Sequence, residues 1–163
     1  MTLQDEVAVR IAEVRRRIAA AAVRAGRRPG EVRLVAVSKT HPPEAVRAAA
    51  AAGQVDFGEN RVQEAVSKMT ALADLGASWH LVGHLQSNKA KRAAQAFAWI
   101  ESIDRPDLLE AVDRAAAEAG RAPIVLVQVD LAGEATKHGA ALDAVRPVLE
   151  AGARCRAARL AGL

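Results

Sequence analysis

Residues 32–53, VRLVAVSKTHPPEAVRAAAAAG, contain one complete strand-and-helix unit. The run over residues 32–38 is almost continuously apolar, which is typical of a strand buried on both faces of a parallel sheet. Pro42 and Pro43 follow at once, and proline is favoured in the first turn of a helix. The segment therefore predicts a β-strand that leads directly into an α-helix ending near residue 52.

The same alternation recurs along the rest of the chain. Apolar runs predict strands at residues 55–58, 79–82, 99–103, 124–129 and 159–163, and helical periodicity predicts helices at residues 3–25, 61–72, 88–96, 106–119 and 142–151. Pro147 is expected to interrupt the last of these helices, because proline removes a backbone donor. Repeated β-α units imply a parallel sheet covered by helices.

Two α/β architectures fit this repeat, an open doubly wound sheet and a (β/α)₈ TIM barrel. A barrel typically takes about 250 residues, whereas this sequence has 163 and supplies five units and the start of a sixth strand. A barrel would therefore be incomplete in this chain. The repeat pattern by itself does not choose between the two.

Composition places the chain among globular proteins and argues against several classes of partner. Hydrophobic residues make up 51% and charged residues 26%, and no apolar stretch approaches the roughly 20 residues of a membrane span. The single cysteine, Cys155, fits a reducing compartment, so we expect a cytoplasmic protein. The net charge of +4 raises the question of nucleic acid, but aromatics are 2%, and stacking platforms are the usual companions of a basic surface. We expect neither a nucleic-acid nor a membrane partner.

Lys39 ends the first predicted strand. A side chain there lies at the carboxyl edge of a parallel sheet, where ligand sites of α/β proteins form. The chain has 18 arginines and 5 lysines, and only lysine offers a primary amine that can condense with an aldehyde. On position alone, a solvated lysine at a strand end is the simpler interpretation.

A second segment, DFGENRVQEA at residues 56–65, contains a turn and a helix start. Gly58 permits a sharp turn, and Asn60 is a good helix cap. Glu59 and Asn60 are expected to face the same mouth as Lys39. By itself this is an ordinary capped β-α turn.

A third segment, WHLVGHLQSNKAKR at residues 79–92, carries two histidines. His80 lies in a predicted strand and His84 in the loop after it, with no carboxylate or cysteine at a metal-ligand spacing, so no metal site is predicted. Lys89 and Lys91 are interpreted as solvated helix residues. The sequence also lacks the glycine-rich phosphate loops and the G-x-S-x-G nucleophile motif.

Taken together and in order, five segments resemble the hallmark segments of the pyridoxal phosphate homeostasis (YggS/PROSC) family. They are LVAVSKT (34–40), FGENRVQE (57–64), WHLVGHLQSNK (79–89), IDRPDLLEAVDRAA (103–116) and VLVQVDLAGEATKHG (125–139). The resemblance implies a single-domain TIM barrel like the N-terminal domain of alanine racemase. In this family the lysine of the V-S-K-T segment carries pyridoxal 5′-phosphate (PLP) as an internal aldimine, and that lysine matches Lys39.

The resemblance also implies the remaining members of the site. The asparagine of the G-E-N segment lies beside the cofactor and matches Asn60, and we group His80 with these two as a third cofactor-binding residue. The family often has tyrosine where this chain has Arg61 and lysine where it has His41. Residues 152–163 match the family poorly and are interpreted as a degraded or shifted end of its pattern.

The function that the resemblance implies is a PLP-binding protein of vitamin B6 homeostasis, without catalytic turnover. The alternative is a PLP-dependent, racemase-like enzyme acting on amino acids, which needs a second acid or base such as the tyrosine of racemases, and this sequence has no tyrosine. We expect residues 1–163 to form one PLP-binding barrel domain that lacks its last strands and helices, where the phosphate-binding residues of the family lie. Because a barrel removes sheet edges only by closing, we expect a monomer for a complete chain. For this chain we expect self-association and weaker PLP binding.

Overall fold

Strands and helices alternate as the sequence predicts. The computed structural model describes residues 1–132 and 138–163. Its elements in chain order are α1 (Leu3–Arg24), β1 (Ala36–Val37), α2 (Pro43–Ala51), β2 (Asp56–Glu59), α3 (Val62–Ala71), β3 (Ser78–Leu81), α4 (Ala90–Ala96), β4 (Trp99–Ile103), α5 (Pro106–Glu118), β5 (Ile124–Val127), α6 (Leu142–Gly152) and β6 (Arg159–Gly162). Residues 133–137 of the fifth resembling segment lie outside the described residues.

The strand order settles the choice between the two architectures. The six strands form one sheet in the order β1-β2-β3-β4-β5-β6, and each neighbouring pair is parallel. A doubly wound sheet reverses its strand order at a switch point, and this sheet does not. An uninterrupted sequential order is that of a TIM-barrel wall, with β1 and β6 at its two edges.

The sheet has two faces of different character. Register aligns Val37, Gly58, His80 and Trp99 across the first four strands, so these residues share the inward face. Their neighbours point the opposite way, toward the helices. The outward face and the helices form the buried core, which includes Phe57, Leu81, Ile100, Leu108, Leu109 and Val112.

The N-terminal helix α1 contacts the C-terminal end of α2. The guanidinium of Arg15 donates hydrogen bonds to the carbonyl oxygens of Ala52 (3.2 Å) and Gly53 (2.7 Å). A cation at a helix C-terminus satisfies free carbonyls and complements the helix dipole.

Of the helices in the described ranges, none is long and apolar enough to cross a membrane.

The first strand differs from its prediction. A strand buried on both faces was expected over residues 32–38, but β1 has two residues, and Val32 and Val37 are 37% and 47% exposed. β1 lies at an edge of the sheet, so it has a strand on one side only. On its inward face it lies beside Gly58, which has no side chain to cover it.

The predicted interruption at Pro147 is wrong. Helix α6 continues from Leu142 to Gly152 with Pro147 inside it. Proline removes one backbone donor from the helix, but Val148 and Ala151 are buried in the core. Their burial holds the helix together across the missing hydrogen bond.

The strand predicted at residues 159–163 is confirmed as β6 (Arg159–Gly162). β6 pairs with β5 in parallel, with a one-residue shift of register between Val125 and Leu126, and the turn before it is held by Asp113 of α5. One carboxylate oxygen of Asp113 accepts from the backbone N–H groups of Ala157 and Ala158, both at 2.8 Å. Burial raises the pKa of Asp113, but these bonds and that from the N–H of Arg156 outweigh burial and lower it overall.

Candidate functional site

Lys39 and Asn60 occupy equivalent places on neighbouring strands. Val37 of β1 pairs with Gly58 of β2, and the N–H of Ser38 continues the ladder to the carbonyl of Gly58 at 2.8 Å. Lys39 and Asn60 each follow that residue pair by two positions. Continuing the side-chain alternation of the strands by two residues assigns both to the inward side of the carboxyl edge, an orientation that stays a prediction for Lys39, which lies in the turn after β1.

The turn after Lys39 is conformationally strained. Thr40 has φ of 64° and is the only non-glycine residue with positive φ in the described ranges. A β-branched residue in this region is unusual, and such strain costs about 1–3 kcal/mol. The N–H of Thr40 donates to Oε1 of Glu64 at 3.1 Å, which holds the turn.

Beneath this turn lies a buried ion pair that the sequence analysis did not anticipate. Nζ of Lys68 donates to Oε1 of Glu59 at 2.6 Å and to the carbonyl oxygen of Ser38 at 2.8 Å. The same Oε1 accepts from the hydroxyl of Ser38 at 2.7 Å. The side chains of Glu59 and Lys68 are 0% and 6% exposed. Glu59 therefore points toward α3, and the expectation that it faces the same mouth as Lys39 is wrong.

Asn60 is held from the other side by Gly83, in the loop after β3. A Cβ on Gly83 would lie 2.3 Å from the carbonyl oxygen of Asn60 and 2.6 Å from its Cα. Only glycine permits this approach of two backbones. The side-chain Oδ1 of Asn60 is buried and has no hydrogen-bond partner among the described residues, which is unusual for a buried polar atom.

His80 lies on the inward face, at the level of Gly58 and therefore deeper than Lys39. Its Nδ1 lies 2.6 Å from Oε1 of Glu101 and its Nε2 lies 3.0 Å from Oδ1 of Asp56. Its ring stacks on Trp99 with 5.3 Å between centroids. Both nitrogens are thus engaged within the protein. A direct contact between His80 and a cofactor stays a prediction.

His84 lies in the loop beyond β3 and stacks on His138, with 3.8 Å between ring centroids. Burial is the main cause that lowers the pKa of His84, and the neighbouring His138 lowers it further. Asp104, 3.8 Å away, raises the pKa and Arg105 lowers it, and the net direction is downward. Within the described ranges, no group of three histidine, cysteine or acidic residues could hold a metal ion.

A cavity of about 290 Å³ opens beside Asn60. Its lining includes Arg61, His84, Gln86 and Lys89, so its charged side chains are cationic. Lys89 is half-buried there, in contrast to the exposed Lys91. Lys89 is thus less solvated than Lys91, and the cavity beside Asn60 has two cationic side chains, Arg61 and Lys89, in its lining.

The family comparison first gives the class of protein. The family described as "Alanine racemase, N-terminal domain" matches residues 9–163. The histidine racemase of Leuconostoc mesenteroides superposes with a TM-score of 0.69 at 18% identity, covering 95% of this chain and 39% of that one, which shows a common fold. The chain belongs to the proteins built on the alanine racemase N-terminal barrel.

Closer relatives narrow the family. The pyridoxal phosphate homeostasis protein of Pseudomonas aeruginosa is 45% identical over 158 residues, which are 96% of this chain and 68% of the relative. Its counterpart in Escherichia coli K12 is 41% identical over 164 residues, 98% of this chain and 69% of the relative. The chain is a member of the pyridoxal phosphate homeostasis protein family.

Solved structures agree with this assignment. PipY of Synechococcus elongatus, determined with PLP bound, is 42% identical to this chain and superposes with a TM-score of 0.83. The match covers 96% of this chain and 68% of PipY. The family likeness reaches residue 163, which also corrects the expectation that residues 152–163 depart from the family.

Replacement of Gly83 by alanine is expected to lower stability and disturb Asn60. The new Cβ would meet backbone atoms, which cannot move aside as a flexible side chain can, and overpacking of this kind typically costs about 1–3 kcal/mol. Urea unfolding measures the loss. Gly30→Ala is the matched control, because a Cβ there meets nothing within 4 Å. Equal stability of the two variants would contradict the close approach at Asn60.

The lowered pKa of His84 predicts a pH dependence of stability. Between that lowered pKa and the ordinary value of 6.5, the unfolded chain binds more protons at this residue than the folded protein does. The free energy of unfolding therefore falls as the pH falls below the ordinary value. Urea unfolding at about pH 7.5 and about pH 5.5 should show a smaller loss in His84→Gln than in the wild type. His41→Gln, at an exposed position, is the control, and an equal effect in both variants would refute the assignment.

Proposed function

We propose that this chain binds PLP and holds it covalently as a Schiff base on Lys39. The observation that carries the proposal is the equivalent position of Lys39 and Asn60, each two residues beyond the paired Val37 and Gly58 at one edge of the sheet. The side chain of Lys39 is exposed and has no ion-pair or hydrogen-bond partner within residues 1–132 and 138–163. An unpaired amine is free to react with an aldehyde.

The residues around Lys39 fit such a group. Asn60 offers a buried oxygen that lacks a donor, and a bound ligand with a hydroxyl or N–H group can supply one. The nearby cavity adds the positive charges of Arg61 and Lys89, which favour an anionic ligand. PipY, at 42% identity, has been solved with PLP bound.

We further propose that the protein carries or buffers PLP in vitamin B6 homeostasis and does not turn over a substrate. Two relatives at 45% and 41% identity are named as pyridoxal phosphate homeostasis proteins. When bound, PLP supplies an aldehyde that accepts amines and a ring that withdraws electrons. The chain's own contribution is to offer the amine of Lys39 and a polar neighbour, Asn60. We treat residues 1–163 as part of one barrel domain, with His80 as the deeper member of the site.

Trapping identifies the reacting lysine. The protein mixed with PLP should absorb in the visible region, and borohydride should fix the adduct on Lys39, as read by peptide mapping. Lys39→Ala should abolish the band, and so should Lys39→Arg, because a guanidinium stays protonated and is a poor nucleophile. Lys91→Ala is the control, since the Lys91 side chain is 71% exposed and lies on the surface. An adduct spread evenly over Lys39, Lys89 and Lys91 would reject the site.

Activity assays separate the carrier from the racemase-like alternative. The alternative needs a second acid or base positioned across the cofactor from Lys39, and none of the 163 residues is tyrosine. The PLP-loaded protein is therefore expected to racemise or transaminate common amino acids no faster than free PLP does. Polarimetry and chiral chromatography with alanine measure this. Turnover well above that of free PLP would favour a racemase-like enzyme over a carrier.

A further inference from the structure

Four side chains hold the backbone on both sides of Lys39. They are Ser38, Glu59, Glu64 and Lys68, and we call them the clamp. We propose that Glu59, Glu64 and Lys68 are positioning residues, which fix the backbone of Lys39 and so set the rate at which its amine captures an aldehyde. The inference rests on the proposed function of Lys39.

The clamp binds Ser38, the residue before Lys39, at two atoms, its hydroxyl and its carbonyl oxygen. The hydroxyl of Ser38 donates to Glu59, and the carbonyl oxygen of Ser38 accepts from Lys68. These contacts lie on the face of the sheet that α3 covers, because Lys68 belongs to that helix. They leave the inward side open for a ligand.

The clamp binds Thr40, the residue after Lys39, at one atom, its backbone nitrogen. The N–H of Thr40 donates to Glu64 at 3.1 Å, and Glu64 lies 3.7 Å from Nζ of Lys68. The buried ammonium group of Lys68 thus connects the contacts before and after Lys39. With its neighbours fixed, Lys39 keeps only its side-chain torsions, and its amine explores a smaller volume. Pre-organisation of this kind raises the rate of a bond-forming step.

The chemistry of the clamp favours a positioning role over a purely stabilising one. A buried ion pair is weak evidence for stability, because desolvation of both charges opposes their attraction. Here the ammonium of Lys68 donates one hydrogen bond to the carbonyl oxygen of Ser38, the residue before Lys39. The clamp also binds the N–H of Thr40, the residue with positive φ, and backbone strain of this kind is typical of functional sites.

Three variants test the inference in this chain. Glu64→Ala removes the acceptor of the Thr40 N–H from a surface position, whereas Glu64→Gln keeps an acceptor oxygen and tests rescue. The double variant Glu59→Gln/Lys68→Met removes both buried charges at similar volume, so neither charge is left unpaired. Glu118→Ala, which removes an exposed carboxylate far along α5, is the control.

Two measurements are made on each variant. Amide hydrogen exchange of residues 38–41 without ligand reports the backbone directly. The rate constant for Schiff-base formation with PLP, and separately with pyridoxal, which lacks the phosphate, reports the amine of Lys39. In that step the amine adds to the aldehyde carbon and one water leaves. Borohydride trapping and peptide mapping confirm which lysine has reacted.

Glu64→Ala and the double variant are expected to exchange faster and to react about tenfold more slowly with both aldehydes, the order expected from the loss of one or two hydrogen bonds. Glu64→Gln should recover most of the wild-type rate. Folded variants that react at the wild-type rate would overturn the inference while Lys39 trapping still stood. An undiminished adduct in Lys39→Ala would overturn the proposed function, and the inference with it.

Discussion

Consecutive side chains of a β-strand leave opposite faces of the sheet, and the site depends on this constraint. At the carboxyl edge this alternation assigns Lys39 and Asn60 to the inward face, whereas Ser38 and Glu59 contact each other and Lys68 on the outward face. The inward pair is available to a ligand, and the outward pair is enclosed by α3. One residue of shift in either strand would exchange the two sets, so the places of Lys39 and of the side chains behind it are specified together by the register of β1 on β2.

The buried ion pair of Glu59 and Lys68 shows how charge is compensated inside the helical layer. Glu59 and Lys68 are both almost fully buried, and each charge is compensated mainly by the other. Removal of one member of such a pair typically costs about 3–5 kcal/mol, whereas replacement of both by apolar residues is often neutral. The inward face has a second enclosed arrangement, in which His80 lies between Asp56 and Glu101. Polar groups thus occupy both faces of a sheet whose buried core is otherwise mostly hydrophobic.

Much of the fold was predictable from the sequence, because apolar runs and proline positions mark the strands and helix starts. The edge position of Lys39 and Asn60 followed from the same pattern. The misplaced orientation of Glu59 had an available signal, since adjacent strand residues cannot face the same side. The burial of Lys68 had none, because helical spacing does not reveal which polar residue meets a carboxylate from another element. The exposure of β1 depends on its place in the sheet, which only the assembled fold gives.

The enclosure of Lys68 has a consequence for chemical damage. A protein that works with a reactive aldehyde is itself exposed to aldehydes, and glycation of surface amines is a common form of such damage. This sequence has five lysines against 18 arginines, and a guanidinium stays protonated and reacts poorly. Lys68 removes one of the five amines from solvent by burying it in an ion pair. The chain thus obtains its positive charge mostly from arginine and leaves few lysine side chains that an aldehyde can reach.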